Sequence, residues 1–308
     1  MKTAFLFSGQ GAQYPGMMKD ITEVSKAARE VFDIADRILH RSVSDLCFNG
    51  TPEELSLTHN TQPCVLAADL AAYAAISEEG IRPDAVAGFS LGEYAALVAA
   101  NVINAEDAFP LVQQRADYMQ EAVSIGEGAM AAIMKLSEEE VKDLCKETEG
   151  YAIPANYNCP GQIVISGETK AIDRILELAK ERKVRAIKLS VSAPFHCEMM
   201  APAAEKLIIP LNNISLKKPD VSIYMNVDAM PETDTQQIRE KLIDQAKSPV
   251  YWEQTIRNMY QDGVDTFIEL GPGKTLSGFV KKTLGEDVRI CHVTDLETLK
   301  ETVNTMRG

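Results

Sequence analysis

A serine flanked by two glycines, in Gly88-Phe89-Ser90-Leu91-Gly92, carries the clearest chemical content of this chain. It matches G-x-S-x-G, the pattern of a nucleophile elbow, where a serine sits on a sharp turn between a strand and a helix. The setting predicts that geometry: Ala85-Val86-Ala87 precedes it as a strand-like run, and Tyr94-Ala95-Ala96-Leu97-Val98 follows in a helical stretch. So tight a turn leaves no room for a Cβ at either flank. It also places the hydroxyl over the unpaired N–H groups of a helix start, where an oxyanion is stabilised. A serine hydroxyl near neutral pH is a weak nucleophile without a base. The chain has four histidines. His40 falls in a charged helix end, His59 in a polar loop and His292 in a late strand-like run, where surface or structural roles suit them. His196 lies in Ser192-Ala193-Pro194-Phe195-His196, and a loop carrying a proline ahead of an ionisable group suits a positioned base. Spacing favours His196 only narrowly.

The elements that must hold these residues read as alternating strands and helices. Residues 3–7 form a short buried strand that ends in Ser8-Gly9-Gln10-Gly11, and 21–40 form a helix with Val24, Ala27, Ala28, Val31 and Ile34 on one face. A second helix is expected over 63–79, starting at Pro63, then a strand from Asp84 to Gly88 and helices from Leu91 to Ala100 and Asn104 to Ala122. The texture changes at Gly126-Glu127-Gly128. Beyond it come a strand (129–134), a helix with a Ser137/Glu140 capping box (137–147), strands at 151–157 and 162–166, a helix (169–182) and a strand from Val184 to Leu189. That order, β-α-β-β-α-β, is the split βαβ signature of a ferredoxin-like unit. The chain then returns to alternation: a strand from Ser222 to Asn226, helices at 235–247 and 249–261, the strand Thr266 to Leu270 and a helix after Gly273. The expected fold is α/β: an α/β-hydrolase-like body with a parallel sheet, built from 1–124 and 194–308, with a small ferredoxin-like subdomain inserted at 125–193.

The chain has 308 residues, is 45% apolar and carries a net charge of −14, with a pI near 4.8. Such a chain can bury a large core, and its charge argues against general nucleic-acid binding, which needs a cationic footprint. Its six cysteines, Cys47, Cys64, Cys145, Cys159, Cys197 and Cys291, form no C-x-x-C pair, so neither zinc nor redox chemistry is suggested and reduced structural thiols are expected. The apolar run Ala4-Phe5-Leu6-Phe7 is too short for a signal peptide and no stretch is long enough to span a bilayer, so a cytoplasmic location without a membrane partner is expected.

Taken together, the motifs resemble the malonyl-CoA:acyl carrier protein transacylase family, including acyltransferase domains of polyketide synthases. The matching segments run the length of the chain in order: Phe7-Ser8-Gly9-Gln10-Gly11-Ala12-Gln13, Thr61-Gln62-Pro63, Gly88 to Tyr94, Gln114-Arg115, Asn158-Cys159-Pro160-Gly161-Gln162, Pro194-Phe195-His196 and Gly271-Pro272-Gly273-Lys274. The resemblance implies that Ser90 is acylated, that His196 is base and then acid, and that the backbone N–H groups of Gln10 and Leu91 form the oxyanion hole. It makes Arg115 the anchor of the malonyl carboxylate, through two parallel hydrogen bonds that lysine cannot copy. Without it, Arg115 reads as a solvated or structural charge. Gln62, Phe195 and Asn158 would line the substrate pocket, and the backbone carbonyl matching Tyr251 would orient the base. Two departures stand out: Phe89 replaces the histidine of G-H-S-L-G, and Ser8 the proline of F-P-G-Q-G. Phe195 matches malonyl-type members, whose bulky ring leaves no room for an α-methyl; methylmalonyl-type members commonly carry serine there.

The implied reaction moves malonyl from malonyl-CoA to the phosphopantetheine thiol of an acyl carrier protein by a ping-pong route, for fatty acid synthesis or, as a trans-acting enzyme, for polyketide synthesis. It needs no metal and no permanently bound cofactor, and a monomer suffices. Lys281 and Lys282 are a candidate docking point for the acidic carrier protein. The rivals are weaker. A serine (thio)esterase would need an acid between serine and histidine, and Asp143 and Asp173 sit on helices of the inserted unit. A docking module without catalysis would not need Ser90, His196 and Arg115. Nucleotide binding fails because Gly273-Lys274-Thr275 lacks the first P-loop glycine, where Ile268 stands, and Gly9-Gln10-Gly11 lacks a third glycine, where Tyr14 stands.

Overall fold

The computed structural model describes residues 1–191 and 193–308, so Ser192 of the His196 loop lies outside the described residues. Among the described residues, ten strands form two sheets: β1 (Thr3–Phe7), β2 (Ala85–Gly88), β3 (Gly128–Met134), β4 (Ala152–Cys159), β5 (Gln162–Glu168), β6 (Ala186–Lys188), β7 (Ser222–Tyr224), β8 (Pro231–Glu232), β9 (Thr266–Leu270) and β10 (Arg289–Val293). The larger sheet has the order β10-β9-β1-β2-β7-β8. Its first five strands run parallel and β8 pairs antiparallel with β7. Successive side chains of β1 leave opposite faces, as the two-residue period of a strand requires. Phe5 and Phe7 enter a core with the helices Lys26–Leu39, Thr58–Glu78, Gly92–Ala99 and Ala105–Glu121. Ala4 and Leu6 face a second core with the helices Trp252–Gln261 and Thr275–Leu284. A parallel sheet covered on both faces explains why β1 and β2 read as unbroken apolar runs.

The smaller sheet is antiparallel, in the order β4-β5-β3-β6. One face is covered by the helices Glu138–Lys146 and Thr169–Glu181. The first of these starts with the expected capping box, in which Ser137 and Glu140 each bond the other's backbone N–H. The second face carries Met130, Ala132 and Val164 against Phe195, Met119 and Met200, so this sheet packs on the segment that holds His196. β4 is further tied to the body where Tyr157 N–H donates to the Val250 carbonyl and Val250 N–H to that of Ala155, each at 2.9 Å.

Among the helices that differ from the sequence reading, two show the physical reason plainly. The helix expected over 21–40 is two, Lys19–Val24 and Lys26–Leu39, because Ser25 turns the chain: its hydroxyl caps the Ala28 N–H and donates to Glu78. The helix expected to start at Pro63 starts five residues earlier, at Thr58. A proline inside a helix strands the carbonyl four residues back. Here that carbonyl belongs to His59, and the side chains of Arg41 and Gln113 donate to it at 3.1 and 3.3 Å. The proline is tolerated because its missing donor is replaced.

Candidate active site

The strand β2 delivers Ser90 to the top of the large sheet. A Cβ on Gly88 would lie 1.9 Å from the backbone of Gly92, and one on Gly92 would lie 2.3 Å from the Phe7 carbonyl, so both glycines are required by contact. Ser90 itself has φ +53, a left-handed conformation that costs a non-glycine residue about 1–2 kcal/mol. Asn226, just beyond β7, holds it there. Its Oδ1 accepts the Ser90 N–H at 2.7 Å and its Nδ2 donates to the Gly88 carbonyl at 2.7 Å, which clamps both sides of the turn.

His196 reaches Ser90 from 106 residues away. Its Nε2 lies 2.7 Å from Ser90 Oγ and its Nδ1 lies 2.9 Å from the backbone carbonyl of Gln245. A carbonyl only accepts, so Nδ1 carries the proton and the bare Nε2 is left to accept the serine O–H. Burial, and then the nearby Arg115, push His196 down to about 4, which keeps it neutral at pH 7 with Nε2 free to accept a proton. The orienting carbonyl is therefore that of Gln245 and not, as the resemblance implied, that of Tyr251. Tyr251 precedes the helix Trp252–Gln261, and its carbonyl is occupied by the N–H and hydroxyl of Thr255, both at 2.9 Å. Gln245 ends the helix Thr235–Gln245, where the last carbonyls lack intrahelical partners and remain free to accept.

Arg115 enters from the helix Ala105–Glu121 and is 1% exposed. Its Nη1 donates to Gln62 Oε1 at 2.7 Å, and its Nη2 to Ser90 Oγ at 3.2 Å and Gln245 Oε1 at 2.8 Å. Nε has no partner and the guanidinium lies 5.5 Å from the ring centre of Tyr94. None of these hydrogen bonds goes to a carboxylate. The nearest acidic support is indirect. Gln245 Nε2 donates to Glu93 Oε2 at 2.8 Å and to the Ser90 carbonyl at 2.7 Å, while Glu93 Oε1 accepts the Asn226 N–H at 2.6 Å. Burial pushes the fully enclosed Glu93 up to about 8, against those donors and Arg115, which pull it down.

A buried serine–histidine pair with a cation beside the hydroxyl is the geometry of acyl transfer through serine. The comparisons with known proteins agree. Residues 4–304 match the acyl transferase domain family. The malonyl CoA-acyl carrier protein transacylase of Bacillus subtilis (strain 168) is 47% identical over 310 aligned residues, covering 99% of this chain and 98% of its own. That of Escherichia coli (strain K12) is 41% identical over 283, covering 91% and 92%. The chain belongs to the malonyl CoA-acyl carrier protein transacylase family. Among solved structures, the Clostridium perfringens transacylase superposes with a TM-score of 0.95 at 43% identity, covering all of this chain and 98% of its own. A malonyl-transacylase in complex with its type II PKS acyl-carrier protein gives 0.95 at 37% identity, covering 99% and 100%.

Other transacylase-motif residues fall as follows. Leu91 is buried at the start of the helix Gly92–Ala99, and Gln10 lies in the loop after β1. That loop runs along the elbow: Phe89 N–H donates to the Phe7 carbonyl at 3.0 Å, and a Cβ on Gly9 would lie 2.6 Å from the Phe89 carbonyl. The Gln10 and Leu91 N–H groups take no hydrogen bond among the described residues. Gln62 is buried against Arg115, and Phe195 is buried beneath the small sheet. Asn158 is buried on β4 with Oδ1 unpartnered, and among the described residues no hydrogen bond ties it to Ser90, His196 or Arg115. Phe89 packs edge-on against Trp252, with ring centres 5.4 Å apart. His59 pairs with Asp117, away from the serine. Sequence reasoning missed Asn226, Glu93 and Gln245. Glu93 alone had a signal, as the one charge in an otherwise apolar helix.

Proposed function

We propose that this chain transfers malonyl from malonyl-CoA to the phosphopantetheine thiol of an acyl carrier protein, in fatty acid synthesis, through a malonyl-Ser90 intermediate. The observation that carries the reading is Arg115: a buried guanidinium, hydrogen-bonded to the nucleophile and, among the described residues, lacking a carboxylate partner of its own. Such a group is poised for an anion brought by the substrate, and its planar fork suits a free carboxylate. In the first half-reaction Ser90 Oγ attacks the thioester carbon as its proton passes to His196 Nε2. The oxyanion is received by the N–H groups of Gln10 and Leu91. Collapse breaks the C–S bond, and Nε2 returns the proton to the departing coenzyme A sulfur. The second half-reaction runs the same steps backwards with the carrier thiol as nucleophile. Gln245 supports both groups at once, orienting His196 with its backbone and Arg115 with its side chain.

Phe195, ahead of the base, excludes an α-methyl from the acyl group. Exposed Lys281 and Lys282 are offered as a docking point for the carrier protein; Lys281 pairs with Glu286 at 3.0 Å. Charge reversal at Lys282 that leaves carrier-protein affinity unchanged rejects that docking point. Intact-protein mass spectrometry tests the chemistry. Wild type is expected to gain one malonyl group from malonyl-CoA and little from methylmalonyl-CoA, and Ser90→Ala to gain none. Arg115→Ala is expected to shift labelling toward acetyl-CoA. A malonyl adduct on Ser90→Ala, or rapid loss of the adduct to water in place of the carrier thiol, would sink the reading.

A further inference from the structure

Behind the loop that carries Gln10 lies a polar cluster that the reaction above does not use. Asp69, on the helix Thr58–Glu78, is 0% exposed, and among the described residues neither of its carboxyl oxygens makes a hydrogen bond of ordinary geometry. It stands against Ser8 and Gly271: a Cβ on Gly271 would lie 1.8 Å from Asp69 Oδ1 and 2.9 Å from Ser8 Oγ. Gly271 has φ +114, so contact and backbone both demand glycine there. The buried Ser8 hydroxyl donates toward the carbonyls of Pro272 at 3.1 Å and Leu270 at 3.4 Å, which leaves its oxygen free to accept. On its other side, Ser8 meets the elbow, its carbonyl 2.5 Å from where a Gly92 Cβ would stand. Ser8 is thus wedged between Asp69 and the nucleophile turn, two residues ahead of Gln10.

We propose that Asp69 and Ser8 act as one positioning unit that fixes the loop of Ser8 to Gln10 against the nucleophile elbow and so aims the Gln10 N–H. The unit deepens the reading of Gln10 as an oxyanion donor and rests on it. Asp69 works as the neutral acid. A buried carboxylate with no cation beside it and only the Ser8 N–H facing it carries a large desolvation cost, which protonation removes. The charged group facing it is Glu269 of β9, and the donor facing it from the end of β1 is the Ser8 N–H; no cation acts on it. Burial and then Glu269 push its carboxyl well above the usual carboxylate range. Glu269 is itself satisfied by the N–H groups of Leu276 and Ser277, so it makes no claim on the Asp69 proton. The groups of Ser8 nearest that carboxyl are its N–H and, across Gly271, its hydroxyl.

The test pairs amide hydrogen exchange across residues 8–12 with single-turnover acylation of Ser90 by malonyl-CoA. It uses wild type, Asp69→Asn, Asp69→Ala, Ser8→Ala and the double alanine variant. Asp69→Ala and Ser8→Ala are each expected to speed exchange in the loop and slow acylation about 10-fold, below the loss of a whole oxyanion donor. Malonyl-CoA affinity should hold, because Arg115 and Gln62 are untouched. The double variant should be no slower than the slower single, as expected of residues acting as a unit. Asp69→Asn, isosteric with the neutral acid, should keep wild-type exchange and rate. Unchanged loop exchange in both single alanine variants overturns the proposal, as does a multiplicative loss in the double variant. Asp69→Asn as impaired as Asp69→Ala also overturns it. If Asp69→Ala does not fold, Ser8→Ala and Asp69→Asn decide by the same readings. A wild type that takes no malonyl group refutes the transferase reading alone, and the exchange measurements still decide the unit.

Discussion

At the residue scale, the site is set by two groups whose ionisation the fold controls. His196 is held neutral by burial and by Arg115, with its folded value near 4. The acid limb of the acylation rate is therefore expected near pH 4 and not at the ordinary histidine value. A pH–rate profile of acylation checks this, and a limb at 6.5 contradicts it. Arg115 is held cationic without a direct counter-ion, so its use depends on fork geometry. Arg115→Lys keeps the charge but loses the paired hydrogen bonds, and is expected to lower malonyl kcat/KM roughly 10- to 100-fold while leaving acetyl transfer little changed. Equal losses for both acyl groups would show that Arg115 positions Ser90 only.

At the element scale, the strained serine exists because β1 and the segment after β7, both distant in sequence, close on the turn between β2 and its helix. β2 and the following helix approach to the limit that glycine allows, and Asn226, from the end of β7, ties both sides. Gly92→Ala drives a Cβ into the Phe7 carbonyl, and is expected to cost several kcal/mol or to prevent folding, as overpacking against rigid backbone does. Asn226→Ala leaves the Ser90 N–H and the Gly88 carbonyl unpaired in the core, an expected loss of about 2–4 kcal/mol together with a lower acylation rate. Urea melts of the two variants check both values. An Asn226→Ala protein as stable and as fast as wild type would show that the turn needs no clamp. Much of this level was legible: the glycines announced the turn and the strand–helix order. The clamp was not, because nothing in the residues around Asn226 says which carbonyl its amide will meet.

At the scale of the whole molecule, the site is built from buried titratable groups, and its stability should depend on pH in a stated direction. Burial raises Glu93 to about 8 and Glu269 to about 7 from 4.5, so each contributes stability below 4.5 that is lost as pH rises through the folded value. His196, lowered from 6.5 to about 4, works the other way: its contribution is present above 6.5 and lost as pH falls toward 4. Above 6.5 the histidine contribution is constant and the carboxyl contributions keep falling. The urea midpoint is therefore expected to drop between pH 6.5 and 8, less steeply in Glu93→Gln; a flat or rising midpoint would refute it. By itself the sequence determined what local chemistry determines: the nucleophile turn from its glycines, the alternation of strands and helices from apolar periodicity, and the β-α-β-β-α-β order of the small unit. It left the choice among four histidines open, and the carbonyl behind His196 was misassigned to Tyr251. Those depend on where backbone ends without partners come to rest. Tyr251 spends its carbonyl starting its own helix, whereas Gln245 ends a helix and has one to spare. The tertiary structure alone decided which long-range groups meet, because Ser90, His196, Arg115 and Gln245 converge only after the large sheet is assembled.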